Sequence, residues 1–250
     1  MDEGYRFFEN NGCVIFDNGI EESDVSDIRA QLESVIQQQV SKHLSRGSPF
    51  LEANGFDRGL IELADHDETL RKNIYDVVQS LSSVYRFSTN PAFTRIATDL
   101  GIKIPIMTVQ LRMDLPGDER FLIPPHQEIC GIRSHNLVFM WIPLVDVSNE
   151  MGALSVAPGS HQLGPIVPTV SDDNRYQFIP PELYMESHPI GQIPMESGEM
   201  VVLGKHVIHG SHPNTTDRPR WACIFRFEDA ANMPFLDGDD SLDQFNLKGG

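Results

Sequence analysis

The chain has 250 residues, and its 19 Lys and Arg against 36 Asp and Glu give a formal net charge of −17. This acidic balance argues against partners such as nucleic acid or an anionic membrane, because both need a basic surface. Hydrophobic residues make up 40% of the chain and include 14 Phe, which suffices for a sizeable core and excludes a disordered chain. The length fits one or two domains.

The cysteine pattern and the amino terminus both favour a cytoplasmic protein. Cys13, Cys130 and Cys223 are odd in number and far apart, so they predict neither a disulfide framework nor a zinc knuckle. The first residues are acidic and lack the apolar segment of a secretory signal. Since no stretch approaches the roughly 18 apolar residues of a transmembrane helix, we expect no membrane segment.

Residues 1–103 are predicted to form a mostly helical support region. Apolar residues at a spacing of 3.6 indicate one helix that begins at Ser23 or Asp24 and a second that begins near Asp67. A third helix is predicted after Asn90, which serves as its cap and is followed by proline, while a glycine marks its end. We expect these helices to pack on a sheet and to carry no chemistry.

From about residue 104 the hydrophobic period changes to two, which is typical of strands. In the segment 104–114, Thr108, Gln110 and Arg112 share one polar face, which we interpret as the lining of a pocket. Further strands are predicted at 137–145, 153–157, 199–203, 205–211 and 220–227, with a short one earlier at 13–16. Many short strands separated by turn residues predict a sandwich or a barrel.

Residues 1–250 are therefore predicted to form a single domain. The β-rich core spans 104–228, and an acidic tail follows at 229–250. Residues 164–195 are rich in proline and show no periodicity. Because a loop of that length inside a compact domain is usually functional, we predict that it forms a lid.

The segment His126-Gln127-Glu128 is a candidate source of two metal ligands. On an extended strand, residues i and i+2 point to the same side, so one imidazole and one carboxylate can converge on one ion. The pair alone is a weak signal, and it needs a third ligand, for which another histidine is the best candidate. Two histidines and one carboxylate leave three positions of Fe(II) open for a co-substrate and O2.

The third ligand is sought in residues 205–220, where three histidines follow one another at spacings of three. An odd offset turns a strand side chain to the opposite face, so at most one phase points inward. A turn centred on Asn214 and Thr215 would pair His209 with Arg220 across a hairpin. An arginine at that place is explained if it clamps a carboxylate whose other end reaches the metal.

Four segments occur in a distinctive order: HQE at 126–128, WIPLVDV at 141–147, GALSVAPGSH at 152–161 and GEMVVLGKHVIHGSHPNTTDRPR at 198–220. Together they resemble the phytanoyl-CoA dioxygenase-like (PhyH) family of Fe(II)/2-oxoglutarate-dependent oxygenases. The resemblance covers roughly residues 104–228 and is weaker in the helices. It implies a mainly β fold with flanking α-helices, in which a double-stranded β-helix, or cupin-like jelly roll, forms the core.

The resemblance also implies roles for individual residues. His126, Glu128 and His209 match the iron ligands, although the commonest carboxylate of the family is aspartate; the retained carboxylate disfavours halogenation. The matches to 2-oxoglutarate contacts are Arg220, Ser211, Thr108 and Trp141, to which the polar face of the first long strand adds Gln110. Candidate contacts to the substrate are Arg112, Gln127 and His135.

The activity implied by this resemblance uses Fe(II), 2-oxoglutarate and O2. It would oxidise, by default hydroxylate, an unactivated C–H bond of a small molecule while 2-oxoglutarate yields succinate and CO2. Desaturation, cyclisation or epimerisation would use the same site. Two other classes stay open: a zinc or other metallohydrolase, which leaves Arg220 and Ser211 unexplained, and a non-catalytic cupin-like binding protein, which would need a broken ligand set.

Overall fold

The structure is a computed structural model that describes residues 2–17, 20–44, 55–129, 132–172 and 175–233. The helices in this part of the chain are α1 (Asp2–Asn11), α2 (Glu22–His43), α3 (Leu60–His66), α4 (Glu68–Val78), α5 (Ser82–Ser88) and α6 (Pro91–Asp99). The strands are β1 (Cys13–Phe16), β2 (Pro105–Asp114), β3 (Leu137–Pro143), β4 (Ser155–Val156), β5 (Thr169–Val170), β6 (Gln177–Phe178), β7 (Gly191–Gln192), β8 (Met200–Gly204), β9 (His209–Gly210) and β10 (Arg220–Asp229). These sheets with flanking helices confirm the predicted fold class.

Five strands form the major sheet in the antiparallel order β1-β8-β3-β10-β2. The alternation of side chains along β10 gives this sheet two different faces. Trp221, Cys223 and Phe225 are fully buried in the core that includes the helices. Arg220 and Arg226 belong to the opposite face, which turns towards the minor sheet. The polar residues that matter for chemistry therefore lie between the two sheets.

The helical layer is held on the major sheet by large apolar side chains. The residues of α2 that are buried follow the helical period, and they are Val25, Ile28, Leu32, Ile36 and Val40. The rings of Phe87 on α5 and Phe93 on α6 lie 5.6 Å and 5.3 Å from the ring of Phe225 on β10. Close packing of this kind fixes the sheet from behind and leaves its other face for the site.

The predicted helix starts are partly confirmed. The Asp67 side chain accepts a hydrogen bond from Thr69 N at the start of α4, and the Asn90 side chain accepts one from Ala92 N at the start of α6. The predicted start of α2 at Ser23 or Asp24 is wrong, because that helix begins at Glu22. Helices α1, α3 and α5 were not predicted, since short helices depend on tertiary packing more than on a visible period.

The minor sheet has the order β7-β4-β9. Strand β7 belongs to residues 164–195, which also contain the hairpin of β5 and β6 and a 3-10 turn at Pro181–Leu183. This segment is anchored beside the site, because Ile179 N donates to Pro125 O at 2.8 Å. The predicted strand at 205–211 is reduced to β9, and most of the predicted tail lies outside the described residues. In the part of the chain that is described, no helix combines the length and apolarity needed to cross a membrane.

Replacing Phe225 with alanine tests the packing of the helices on the major sheet. We expect Phe225→Ala to lower the free energy of unfolding by about 3–5 kcal/mol, because a large aromatic side chain is lost from a filled core. Urea denaturation followed by circular dichroism measures the change. The matched control is Tyr85→Ala on α5, whose side chain is 52% exposed and which should change stability by about 0.5 kcal/mol or less. Equal losses in the two variants would contradict this packing.

Candidate metal centre and co-substrate pocket

The segments that carry the predicted metal ligands are joined through their backbones. His126 N donates to His209 O at 2.8 Å and His209 N donates to His126 O at 3.0 Å, which makes an antiparallel bridge. A Cβ atom on Gly210 would lie 2.9 Å from Pro125 N, so only glycine permits this close approach. Glu128 follows in a turn rather than on a continuous strand, and its N–H donates to Lys205 O at 3.1 Å.

The three side chains converge on one point. Glu128 Oε1 lies 3.7 Å from His126 Nε2 and 3.5 Å from His209 Nε2. One ligand atom from each residue lies within 4.8 Å of the others. Two ligands that are each about 2.1 Å from one ion are about 3–4 Å apart, so the spacing suits a single small cation. Glu128 and His209 are buried, and His126 is partly buried.

The ring orientation of both histidines suits metal binding. His126 Nδ1 lies 2.9 Å from Pro124 O, and His209 Nδ1 lies 3.0 Å from Val207 O. A carbonyl oxygen can only accept, so each Nδ1 carries the proton and donates it. That arrangement leaves Nε2 as the ligand atom and is the usual support of a metal-binding histidine. The donor set of this chain therefore fits Fe(II).

The local electrostatics favour the protonation states that a metal ion needs. Burial alone would raise the pKa of the Glu128 carboxyl, but the two neighbouring imidazoles and the Arg226 guanidinium hold that pKa well below its usual value. Burial, together with the nearby His126, lowers the pKa of His209. An ionised carboxylate and a neutral imidazole are the forms that bind a divalent ion.

A cavity of about 40 Å³ opens beside these ligands, between the major and the minor sheet. The predicted residues that line it, besides the three ligands, are Gln110, Arg112, Trp141, Ser211 and Arg220. Arg220 is 3% exposed, and its Nη2 donates to Asp114 Oδ2 at 2.8 Å. Its Nε is buried and has no hydrogen-bond partner among the described residues. Such a donor costs about 1–3 kcal/mol unless a ligand accepts from it, which fits a site for a carboxylate.

Comparison with known proteins agrees with this geometry. The sequence model of the phytanoyl-CoA dioxygenase (PhyH) family matches residues 8–222. The chain belongs to the phytanoyl-CoA dioxygenase family. It is 21% identical to the phytanoyl-CoA dioxygenase of Arabidopsis thaliana, over 86% of this chain and 84% of that protein. It is 23% identical to the 1-deoxypentalenic acid 11-beta-hydroxylase of Streptomyces exfoliatus, over 86% of this chain and 75% of that protein.

A solved structure of another protein shares the fold of this chain. The epimerase SnoN from nogalamycin biosynthesis, in complex with Fe3+, alpha ketoglutarate and nogalamycin RO, superposes with a TM-score of 0.62. The alignment covers 100% of this chain and 91% of SnoN at 18% identity. The predicted family and fold class are thereby confirmed. Fe(II), 2-oxoglutarate and O2 are the cofactor and co-substrates of the phytanoyl-CoA dioxygenase family, and the His-Glu-His cluster of this chain is suited to the iron.

The predicted hairpin between His209 and Arg220 is wrong. His209 pairs with Val156 of the minor sheet and with His126, whereas Arg220 pairs with Asp114 on β2 of the major sheet. The connecting loop crosses between the sheets and is tied down by Asn214, whose Nδ2 donates to Asp114 O at 3.3 Å and to Arg218 O at 2.7 Å. The two residues still line one cavity, but they reach it from different sheets.

Three other predicted residues do not line the cavity. Thr108 is exposed near the far end of β2, and His135 is exposed in a loop. Gln127 is buried and points elsewhere, because its amide bonds Gly164 O at 2.9 Å, His206 O at 2.8 Å and Ile166 N at 2.9 Å. Cys130, which follows the ligands closely, lies outside the described residues.

Two residues of the site were missed by the sequence reasoning. Asp114 lies between two guanidinium groups, since Arg112 Nη2 donates to its Oδ1 at 2.6 Å and Arg220 Nη2 donates to its Oδ2 at 2.8 Å. Arg226 lines the cavity and bonds Glu128. The alternation of side chains along a strand could have indicated both residues. Asp114 shares the face of Arg112 on β2, and Arg226 shares the face of Arg220 on β10.

Asp114→Asn should lower stability in a pH-dependent way. Burial raises the pKa of the Asp114 carboxyl, but Arg220 and then Arg112 outweigh burial and hold it below its ordinary value of 3.8. A carboxyl with a depressed folded-state pKa stabilises the fold above its unfolded-state pKa and loses that contribution as the pH falls. We expect a loss of about 3 kcal/mol at neutral pH, because two buried guanidinium groups lose their counter-charge.

Urea denaturation between about pH 7 and about pH 3 measures this effect, and the difference from the unmodified protein should shrink towards the acidic end. The control is Asp76→Asn, since Asp76 forms an exposed ion pair with Lys72 that contributes about 0.5 kcal/mol or less. A difference that stays constant over the whole pH range would be inconsistent with the arginine pairs.

Proposed function

We propose that this chain is an Fe(II)- and 2-oxoglutarate-dependent dioxygenase that hydroxylates a C–H bond of a small molecule. The observation that carries the proposal is one cavity with both parts of such a site. Its walls hold a His126–Glu128–His209 cluster and an arginine, Arg220, with an unsatisfied buried donor. The first part suits the metal, and the second suits the far carboxylate of 2-oxoglutarate.

The cavity residues have separate roles in binding the metal and the co-substrate. His126, Glu128 and His209 would hold the ion, and the chemistry that the ion would supply when bound is activation of O2, with 2-oxoglutarate as the two-electron donor that is converted into succinate and CO2. Arg220 binds the distal carboxylate and so fixes the orientation of the co-substrate. Ser211 supports the same carboxylate, and its place is set by its N–H, which donates to Ile123 O at 2.8 Å.

Apolar side chains keep water away from the reacting groups. Trp141 and Phe139 line the cavity from β3 and are 3% and 2% exposed. Ile224, which is opposite Trp141 in the sheet, adds to the same wall. A dry site strengthens the charge interactions of Arg220 and prevents side reactions of activated oxygen. The chain supplies binding, orientation and exclusion of water, while the iron and 2-oxoglutarate supply the difficult chemistry.

Residues 164–195 are our candidate for the lid that selects the substrate. The segment starts beside the metal-binding turn, residues 126–129, where the Gln127 side chain bonds Gly164 and Ile166. Further along the segment, Tyr176 Oη donates to Arg120 O. Closure of such a segment would exclude water and complete the substrate pocket.

The predicted single domain and cytoplasmic location stay predictions, as does the expectation that nucleic acid and membranes are not partners.

The competing functions explain less of the cavity. A metallohydrolase would use the His2Glu set but gives no role to the unpaired Nε of Arg220. A binding protein that had lost catalysis would not need all three ligands in place. Among relatives, one is by name a hydroxylase and another an epimerase, so desaturation, cyclisation or epimerisation remain the alternative outcomes. We favour hydroxylation because it is the default reaction of this chemistry.

Anaerobic addition of Fe(II) and 2-oxoglutarate tests the function directly. We expect a weak visible charge-transfer band, because the co-substrate chelates iron held by the two histidines and Glu128. His209→Ala should abolish the band, since His209 supplies one of the three ligands. His135→Ala is the matched control, because His135 is exposed and lies outside the cavity lining. A folded wild-type protein without the band would refute the dioxygenase assignment.

Arg220→Ala tests the carboxylate clamp. We expect the 2-oxoglutarate concentration for half-maximal succinate release to rise about a hundredfold, which corresponds to about 2.7 kcal/mol, because a buried charged hydrogen bond is lost. The nearby Arg218→Ala is the control, since its side chain is 48% exposed and should leave the requirement unchanged. An unaltered requirement in Arg220→Ala would show that the clamp is wrongly assigned.

A further inference from the structure

Arg226 makes the closest charged contact to the proposed metal-binding carboxylate. Its Nε donates to Glu128 Oε2 at 2.9 Å, and its Nη2 donates to Glu128 Oε1 at 3.2 Å. The guanidinium is itself held from two other sides. Nη1 donates to Gln110 Oε1 at 3.2 Å, and the group lies 5.2 Å from the ring centre of Phe139. A forked contact to both carboxylate oxygens fixes direction as well as charge.

The two oxygens of Glu128 have different surroundings. Oε1 is the oxygen that lies 3.7 Å and 3.5 Å from the Nε2 atoms of His126 and His209. Oε2 accepts the shorter of the two hydrogen bonds from Arg226. Oε1 therefore faces the two histidine ligand atoms and accepts the longer bond from Arg226, whereas Oε2 accepts the shorter one. The side chain of Glu128 is 7% exposed, so water has little access to replace the guanidinium of Arg226.

We propose that Arg226 is a positioning residue: its forked contact fixes the orientation of the Glu128 carboxylate, holds Oε2 through the shorter hydrogen bond and so turns Oε1 towards the metal. The proposal rests on the dioxygenase function proposed above. A carboxylate that binds through one oxygen occupies one position of the ion. With two histidines it leaves three positions open, which are the ones that a chelating co-substrate and O2 require. Binding through both oxygens would fill one of them.

The length of the glutamate side chain explains why such a residue is useful. Glutamate has one more rotatable bond than aspartate, so a free Glu128 carboxylate can reach the ion in more than one orientation. Ordering it during metal binding would cost conformational entropy. Arg226 removes that freedom beforehand, and Gln110 and Phe139 in turn hold Arg226. Supports of this kind typically change metal affinity by about 10–100-fold when they are removed.

The test compares metal binding by three variants of the whole chain. Arg226→Met removes the forked contact and keeps much of the side-chain volume, whereas Arg226→Lys keeps one charged donor. Arg133→Met is the matched control. The Arg133 side chain is 52% exposed and pairs at 2.9 Å with Glu228, which lies on the same strand as Arg226, β10. Co(II) affinity is measured without 2-oxoglutarate or oxygen, and the visible spectrum of bound Co(II) reports its coordination.

We expect Arg226→Met to weaken Co(II) binding by about 10–100-fold and to alter the Co(II) spectrum. Arg226→Lys should recover part of the affinity, and Arg133→Met should behave as the wild type does. Gln110→Leu provides a milder test if Arg226→Met fails to fold, because it loosens the guanidinium without removing its charge. This variant should weaken Co(II) binding by less than Arg226→Met would.

Two outcomes would overturn the role of Arg226. One is wild-type Co(II) affinity and spectrum in Arg226→Met or, where that variant does not fold, in Gln110→Leu. The other is an equal loss of affinity in Arg133→Met, which would mean that any lost ion pair on β10 disturbs the site. Failure of the proposed function is distinguishable from both, since the wild type would then show no charge-transfer band with Fe(II) and 2-oxoglutarate.

Discussion

The backbone bridge between His126 and His209 is the constraint on which the rest of the site depends. It joins two segments that are far apart in sequence, and Gly210 lets them approach closely enough for both imidazoles to flank one carboxylate. A buried Glu128 without partners would be costly, so the charge of Arg226 and the nearby rings are part of the same requirement. The major sheet, which its helices fix from behind, supplies that arginine from β10, within hydrogen-bond distance of Glu128.

Sequence reasoning succeeded where side chains belong to regular strands or carry motifs. The polar face of β2 was read correctly for Gln110 and Arg112, because both lie on a strand whose alternation continues without interruption. The helix start near Asp67 and the cap at Asn90 were predictable because each side chain satisfies backbone donors locally. The resemblance identified the family from ordered motifs, which depend on chemistry rather than on the exact register of strands.

The failures share a physical cause, which is that parity gives the face of a residue and not its depth or its partner strand. Thr108 has the parity of Gln110 but lies near the end of β2, beyond the cavity. Arg226 has the parity of Arg220, but its contact with Glu128 becomes visible only once β10 is placed in the major sheet and the metal-binding turn in front of it. The connection from His209 to Arg220 crosses between sheets, so no hairpin rule could give its register.

The charge of the cavity differs in sign from that of the chain. The whole sequence carries a formal charge of −17, yet three arginines, Arg112, Arg220 and Arg226, line the cavity, opposed by Glu128 on its wall and Asp114 behind it. The cavity thus has a positive excess before a metal ion adds two further charges. A dicarboxylate offsets that excess, so binding of the metal and of 2-oxoglutarate should favour each other electrostatically.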